Sequence, residues 1–232
     1  MQPYRNHMKN MATPVMRILE IGPSYNPIVR KSEGFQVQIA DHCDRNALIE
    51  KYGPFGIDTS QIEEVDFVTT NLSEISTTAG FDLIFASHLI EHTPDIIRFL
   101  NDAENLLSPE GKLVLLVPDK RSTFDYYRPL STPGQALDAH LQKRTNHYGA
   151  LFDHYLYFST LRGEMAWSQD EYSSEPEIKH LSNEAQEQID SLENAHQYVD
   201  AHSWVFTPQS FEFMLNELQS IGKIKLKISE LH

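Results

Sequence analysis

Cysteine is almost absent: Cys43 stands alone in 232 residues, so the chain has no internal disulfide and no cysteine-based zinc site. Basic residues are scarce too, 19 Lys and Arg against 33 Asp and Glu, for a formal net charge of -14. That balance argues against a nucleic-acid partner, which needs a basic face, and against an anionic membrane surface. No apolar run reaches membrane-spanning length, and the amino terminus has no apolar core of a signal peptide. A cytoplasmic setting is the expectation. Internal repeats and low-complexity tracts are missing, and so is a glycine-rich G-x-G-x-x-G.

What is present is an ordinary globular composition, 40% hydrophobic and 22% charged, in a length suited to one large domain or a domain with an insertion. Strands and helices alternate, the pattern of a parallel sheet covered by helices. Residues 1–13 are polar and read as a loose arm. Strands are expected at Met16 to Ile21, Gln36 to Asp41, Val65 to Thr69 and Phe81 to Ala86, with a helix over Arg45 to Tyr52. A second helix follows, capped by Thr93 with Pro94 in its first turn, and Ile96, Ile97, Leu100, Ala103, Leu106 and Leu107 fall on one face. The turn Ser108-Pro109-Glu110-Gly111 ends it, and Lys112 to Val117 reads as a fully buried fifth strand.

Beyond Pro118 the alternation stops. The segment to about Ala201 is rich in aromatics and histidine, with helices expected near 133–143 and 183–198; the acidic run from Glu184 to Glu193 reads as a solvated helix face. Thr207-Pro208 then opens a helix carrying Phe211, Met214, Leu215 and Leu218, and Ile224, Leu226 and Ile228 alternate as a sixth strand. The division expected is an arm at 1–13, a cofactor-binding core at 14–118, an acceptor-binding insertion at 119–203, and the last helix and strand of the core at 204–232.

The first strand ends in an acid and breaks at a glycine: Leu19-Glu20-Ile21-Gly22-Pro23-Ser24-Tyr25-Asn26-Pro27. In an α/β fold the carboxyl edge of the first strand is where a nucleotide-like ligand sits, with the glycine admitting close backbone approach. Glu20 and Asp41, each at a strand end, could equally cap the turns that follow them. The order LEIGPSYNP, IADH, FDLIFASHLIEH, LLSPEGKLVLLVPDKR resembles a class I S-adenosylmethionine-dependent methyltransferase, in the bacterial branch often associated with glycan biosynthesis. The resemblance covers about residues 16–125, and WVFTPQSF at 204–211 extends it.

This resemblance implies a Rossmann-like doubly wound sheet, a mainly helical insertion after the fifth strand, and S-adenosylmethionine as cofactor. Glu20, Gly22 and Pro23 would hold its methionine end, Asp41 and His42 would lie at the ribose hydroxyls, Asn71 near the adenine, and Ser87 and His88 beside the methionine moiety. Two departures stand out. One glycine replaces several in the first loop, and the family's closing hairpin, whose last strand inserts between the fifth and sixth, is shortened. A truncated chain, or a homodimer contact covering that sheet edge, is the expectation for the second.

For the acceptor, Lys120 and Arg121 could bind a carboxylate or phosphate, or pair with Asp119 and Asp125. His147 and Trp204 are further substrate-binding candidates. His154 and His202 are candidate bases for a hydroxyl proton, oriented by Asp153 or Asp200; many aromatics around them would simply pack a small core. The function expected is methyl transfer to a small polar or saccharide acceptor, most simply O-methylation in glycan biosynthesis, beside another copy or a glycan-pathway enzyme. A non-catalytic cofactor-binding scaffold is the alternative. His88-Leu89-Ile90-Glu91-His92 also matches the H-x-x-E-H of zinc peptidases, but it follows a strand directly, before the helix begins, so no metal is expected from it.

Overall fold

The computed structural model describes residues 2–168, 174–195 and 200–232. The chain forms two compact units, one of residues 1–89 and 99–116, the other of residues 90–98 and 117–232.

The first unit is built on a five-stranded parallel sheet in the order β3-β2-β1-β4-β5. Its strands are β1 (Arg17–Ile21), β2 (Gln36–Asp41), β3 (Phe67–Val68), β4 (Phe81–Ser87) and β5 (Leu107–Leu116). Ile18, Leu19, Ile39, Ile84 and Phe85 are at most 1% exposed, as expected for central parallel strands covered on both faces. Strand order reverses between β1 and β4: β2 and β3 build outward from one side of β1, β4 and β5 from the other. The carboxyl ends at that switch point form the crevice in which open α/β sheets bind ligands. Helix α2 (Arg45–Tyr52) follows β2, with the Asp44 side chain accepting from the Ala47 amide.

Two expectations change here. The supposed loose arm is a helix, α1 (Gln2–Met11). Its polarity hides it in the sequence, yet Met8 is 3% exposed and joins Ile18, Val29, Val37, Ile39, Leu83 and Phe85 in one core. Lys9 fixes it further through Glu33, 2.8 Å away. The fifth strand, expected to be fully buried, is only partly so, because it is the edge of the described sheet. The turn at Ser108–Gly111 is absorbed as an irregularity within β5, between Leu107 (opposite Phe81) and Lys112 (opposite Leu83).

Helix α3 (Ile96–Leu106) runs from one unit into the other. Its cap is Asp95, which accepts from the Arg98 amide at 2.9 Å, and not Thr93, whose hydroxyl donates to the Ile90 carbonyl.

The second unit contains α4 (Pro133–Leu141), α5 (Tyr148–Leu156), β6 (Ser159–Thr160) paired antiparallel to β7 (Glu177–Ile178), α6 (Ser182–Ala195) and α7 (Pro208–Ser220). Capping boxes at Thr132/Gln135 and Thr207/Ser210 start α4 and α7. Helix α5 went unrecognised because its aromatics and histidine mask the helical period; the end of the helix expected to 198 lies outside the described residues. No sixth strand forms over residues 223–232. Ile224 is buried and exposure alternates after it, but the segment pairs with no strand among the described residues. No helix among the described residues is long and apolar enough to cross a membrane.

If α1 is part of the fold, Met8→Ala should lower the unfolding free energy by about 2 kcal/mol or more in urea denaturation. A loose arm would leave it unchanged.

Candidate functional site

In the first unit the loop after β1 is shaped by the two strand-end carboxylates. Gly22 takes φ +63°, and its amide donates to the Ala40 carbonyl at 2.8 Å, so the loop leaves β1 along the end of β2. A Cβ at this position would lie 2.8 Å from Leu89 Cδ1, so glycine is required by space as well as by dihedral. Ser24 is also left-handed, at φ +50°, and its amide donates to Asp41 Oδ2 at 3.0 Å. Asn26 N–H closes the turn on the Pro23 carbonyl at 2.9 Å. With one glycine in the loop, Asp41 holds Ser24 in a left-handed conformation that a glycine would adopt unaided.

Glu20 is 2% exposed and accepts from the amides of Ile28 (2.7 Å) and Val29 (3.3 Å). Burial pushes its carboxyl up to about 7, against the opposing pull of those two amides and Arg5. Its place is beneath the loop, tying the far end back to β1. Asp41 also accepts from the amide of His42, whose Nδ1 lies 2.6 Å from Oδ1. The Asn71 side chain caps the turn at Leu72–Glu74. Ser87 Oγ accepts from Arg5 at 3.2 Å, and the same guanidinium donates to the Asn26 carbonyl. His88 is left-handed at φ +52°, its amide extending the β4–β5 ladder to the Leu116 carbonyl. With Ile90–His92 forming one 3-10 turn, H-x-x-E-H lies on no regular helix, and the zinc-peptidase geometry is not formed.

Arg5 is the residue of this edge that sequence reasoning missed. Its only signal was a cation in a polar segment read as an arm.

In the second unit, buried imidazoles gather around a carboxylate that sequence reasoning paired differently. His202 is 7% exposed, and its Nδ1 makes a short hydrogen bond to Asp125 Oδ2. Asp125 also accepts from Arg128 Nη1 at 2.8 Å. Burial would raise the Asp125 carboxyl, but His202 and Arg128 outweigh it and hold it below the usual range. Asp200, expected to orient a base, lies 2.8 Å from His92 Nδ1 instead. Burial alone would lower His92; Asp200, Glu91 and Asp125 reverse that and raise it.

His154, on α5, packs edge-on against Phe124 at 5.2 Å between centroids and stands 6.1 Å from the His202 ring. Burial is the main cause that lowers it to about 4, and His147 falls to about 4 for the same reason. Asp153 lies one residue before His154, but the acid bonded to His202 is Asp125. The signal for it was the Asp125–Arg128 spacing on one turn.

The other acceptor candidates are held within the protein. Arg121 pairs with Asp119 through Nε at 3.0 Å and Nη2 at 2.5 Å. Lys120 is partly buried, and burial lowers its pKa. Trp204 is 5% exposed, and its indole N–H donates to the Thr93 carbonyl at 2.6 Å. Its amide and that of Ser203 donate to the Glu91 carbonyl, so this segment pins the Glu91–Thr93 turn.

A family model described as a methyltransferase domain matches residues 5–219. The chain belongs to the methyltransferase-domain family. No curated protein matches the sequence significantly. Among solved structures it is similar to the trans-methyltransferase CalH complexed with S-adenosylhomocysteine (23% identity over 60% of this chain and 38% of that one, TM-score 0.34). It is similar also to the methyltransferase CcbJ from Streptomyces caelestis (16%, 54% and 50%, TM-score 0.37). A third is the N-methyltransferase NodS from Bradyrhizobium japonicum (17%, 49% and 66%, TM-score 0.36). The chain thus spans under two thirds of each. S-adenosylmethionine is the cofactor expected of this methyltransferase domain.

Because Glu20 has its carboxyl raised to about 7 in the folded domain, its stabilising contribution is complete below about pH 4.5 and is lost as pH rises through 7. Relative to Glu20→Gln, the wild type should lose up to roughly 3 kcal/mol of unfolding free energy between pH 4 and pH 8, measured by urea denaturation. A flat difference would mean that the amides and Arg5 offset burial and leave the carboxyl at its unfolded pKa.

Proposed function

We propose that the chain transfers a methyl group from S-adenosylmethionine to a hydroxyl of a small polar or saccharide acceptor, in the cytoplasm and in glycan biosynthesis. Membership in the methyltransferase-domain family carries the reaction class. The switch-point crevice supports the cofactor assignment: Gly22 and Pro23 offer close backbone approach, and Asp41 keeps lone pairs beyond its bonds to Ser24 and His42 for ribose hydroxyls. His42, Asn71, Ser87 and His88 complete the proposed contacts. Arg5 joins them, as a guanidinium at the edge of β1 and β4 suited to the cofactor's carboxylate.

The hydroxyl preference is supported by the buried imidazoles of the second unit. Transfer is an in-line displacement: the acceptor oxygen forms the new C–O bond, the S–C bond breaks with its pair left on sulfur, and the hydroxyl proton goes to a base. His154 or His202 takes that proton, with Asp200 and Asp125 setting the electrostatics around them. Lys120 and Arg121 are proposed on the acceptor side, and His147 and Trp204 as part of its wall.

The test is label transfer from methyl-labelled S-adenosylmethionine to a panel of sugars, sugar phosphates, nucleotide sugars and their amino analogues. Label on a hydroxyl is expected. Label on amines alone would overturn the hydroxyl assignment, and cofactor binding without any transfer would favour the scaffold. Asp41→Ala should raise the KM for the cofactor about 10-fold or more, the loss of a charged hydrogen bond, with a smaller change in kcat.

A further inference from the structure

We propose that Glu91, His92 and His202 bind one divalent transition-metal ion, zinc being the natural probe. One donor atom from each lies within 4.8 Å of the others. Glu91 Oε1 is 4.0 Å from His92 Nε2, and the His92 and His202 rings meet edge to face at 4.7 Å between centroids. Two metal–ligand bonds of about 2.0–2.1 Å at a tetrahedral angle hold donors about 3.4 Å apart, so small side-chain rotations close the set.

The carboxylates that face these two rings point to the same site. His202 uses Nδ1 on Asp125, and His92 has Nδ1 at 2.8 Å from Asp200. Each ring thus has a carboxylate behind it at Nδ1 and would ligate through Nε2. That is the carboxylate–histidine–metal pattern, in which the outer acid fixes the tautomer and strengthens the donor. Glu91 adds a carboxylate that is 0% exposed, an anion that a dication stabilises in such surroundings.

Two imidazoles and one carboxylate suit zinc or iron(II) and leave coordination positions open. These donors are not the H-x-x-E-H pair of the zinc peptidases. His92 and Glu91 come from that motif, but the third ligand is His202, far along the chain, and His88 takes no part.

The chemistry this adds rests on the methyl-transfer reading. A metal held by these residues would lower the pKa of a hydroxyl bound at an open position, and His154, the imidazole outside the ligand set, would be the base for its proton.

The metal itself is tested without activity. Untagged full-length chain, carrying His7→Asn and His232→Asn to remove two exposed histidines, is purified without chelator and analysed for bound metal. The apo form is then titrated with zinc against a chromophoric chelator. One tightly bound equivalent is expected, with affinity at least about 100-fold weaker in His92→Asn and His202→Asn, and 10- to 100-fold weaker in Asp125→Asn. His140→Asn, which alters a histidine paired with Asp95, should keep the wild-type affinity. His92→Asn is the variant least expected to disturb the fold, since His92 is partly exposed, and circular dichroism checks each. No tight equivalent in the wild type, or an undiminished one in folded His92→Asn and His202→Asn, would overturn the site. Zinc bound in this way by a chain that transfers no methyl group would leave the site standing and remove the methyl-transfer reading alone.

Discussion

The buried carboxylate of Glu20 holding the amides of Ile28 and Val29 is the contact on which the cofactor edge depends. It returns the loop to the strand it left, and between those anchor points Gly22 and Ser24 can adopt left-handed backbone without further glycines. Asp41 acts on the same loop from the neighbouring strand, through Ser24. Two acids from adjacent parallel strands thus fix one turn. Glu20 sits where strand order reverses, beside β4, and Asp41 one strand away at the end of β2, so both act on the loop that leaves β1. Glu20 shapes the loop from below, and Asp41 from the side.

Much of this was legible because parallel strands advertise themselves. RILEI, QVQIAD and FDLIFA are short apolar runs bounded by polar turns, and each forms a strand within a residue or so of its expected limits. Helix α7 was equally plain, since Thr207-Pro208 caps it and its apolar face repeats at helical spacing. What failed did so for identifiable reasons. Helix α1 is polar, and its single deeply buried Met8 carries too little periodic signal. Ile224, Leu226 and Ile228 alternate as a strand does, but alternation needs a neighbour to become a ladder. The burial of β5 was overestimated because composition does not reveal which strand lies at an edge.

The sites divide along the same line. Residues adjacent in sequence to strand ends, such as Gly22 and Asp41, can be placed at the β1 loop from the pattern. The pairing of His202 with Asp125 and of His92 with Asp200 cannot, because each joins segments far apart in the chain. For Arg121 the sequence leaves open a ligand or a pairing with Asp119 or Asp125, and the structure pairs it with Asp119. In the second unit the partly buried aromatics Phe124 and Phe158 stack at 5.3 Å beside the imidazoles.

Equilibrium titration of the folded chain with S-adenosylhomocysteine, followed by calorimetry, tests the central claim most directly, since it asks only whether the β1 loop is a cofactor site. Saturable binding of one equivalent per chain is the result predicted. A folded chain that binds neither S-adenosylhomocysteine nor S-adenosylmethionine would contradict it.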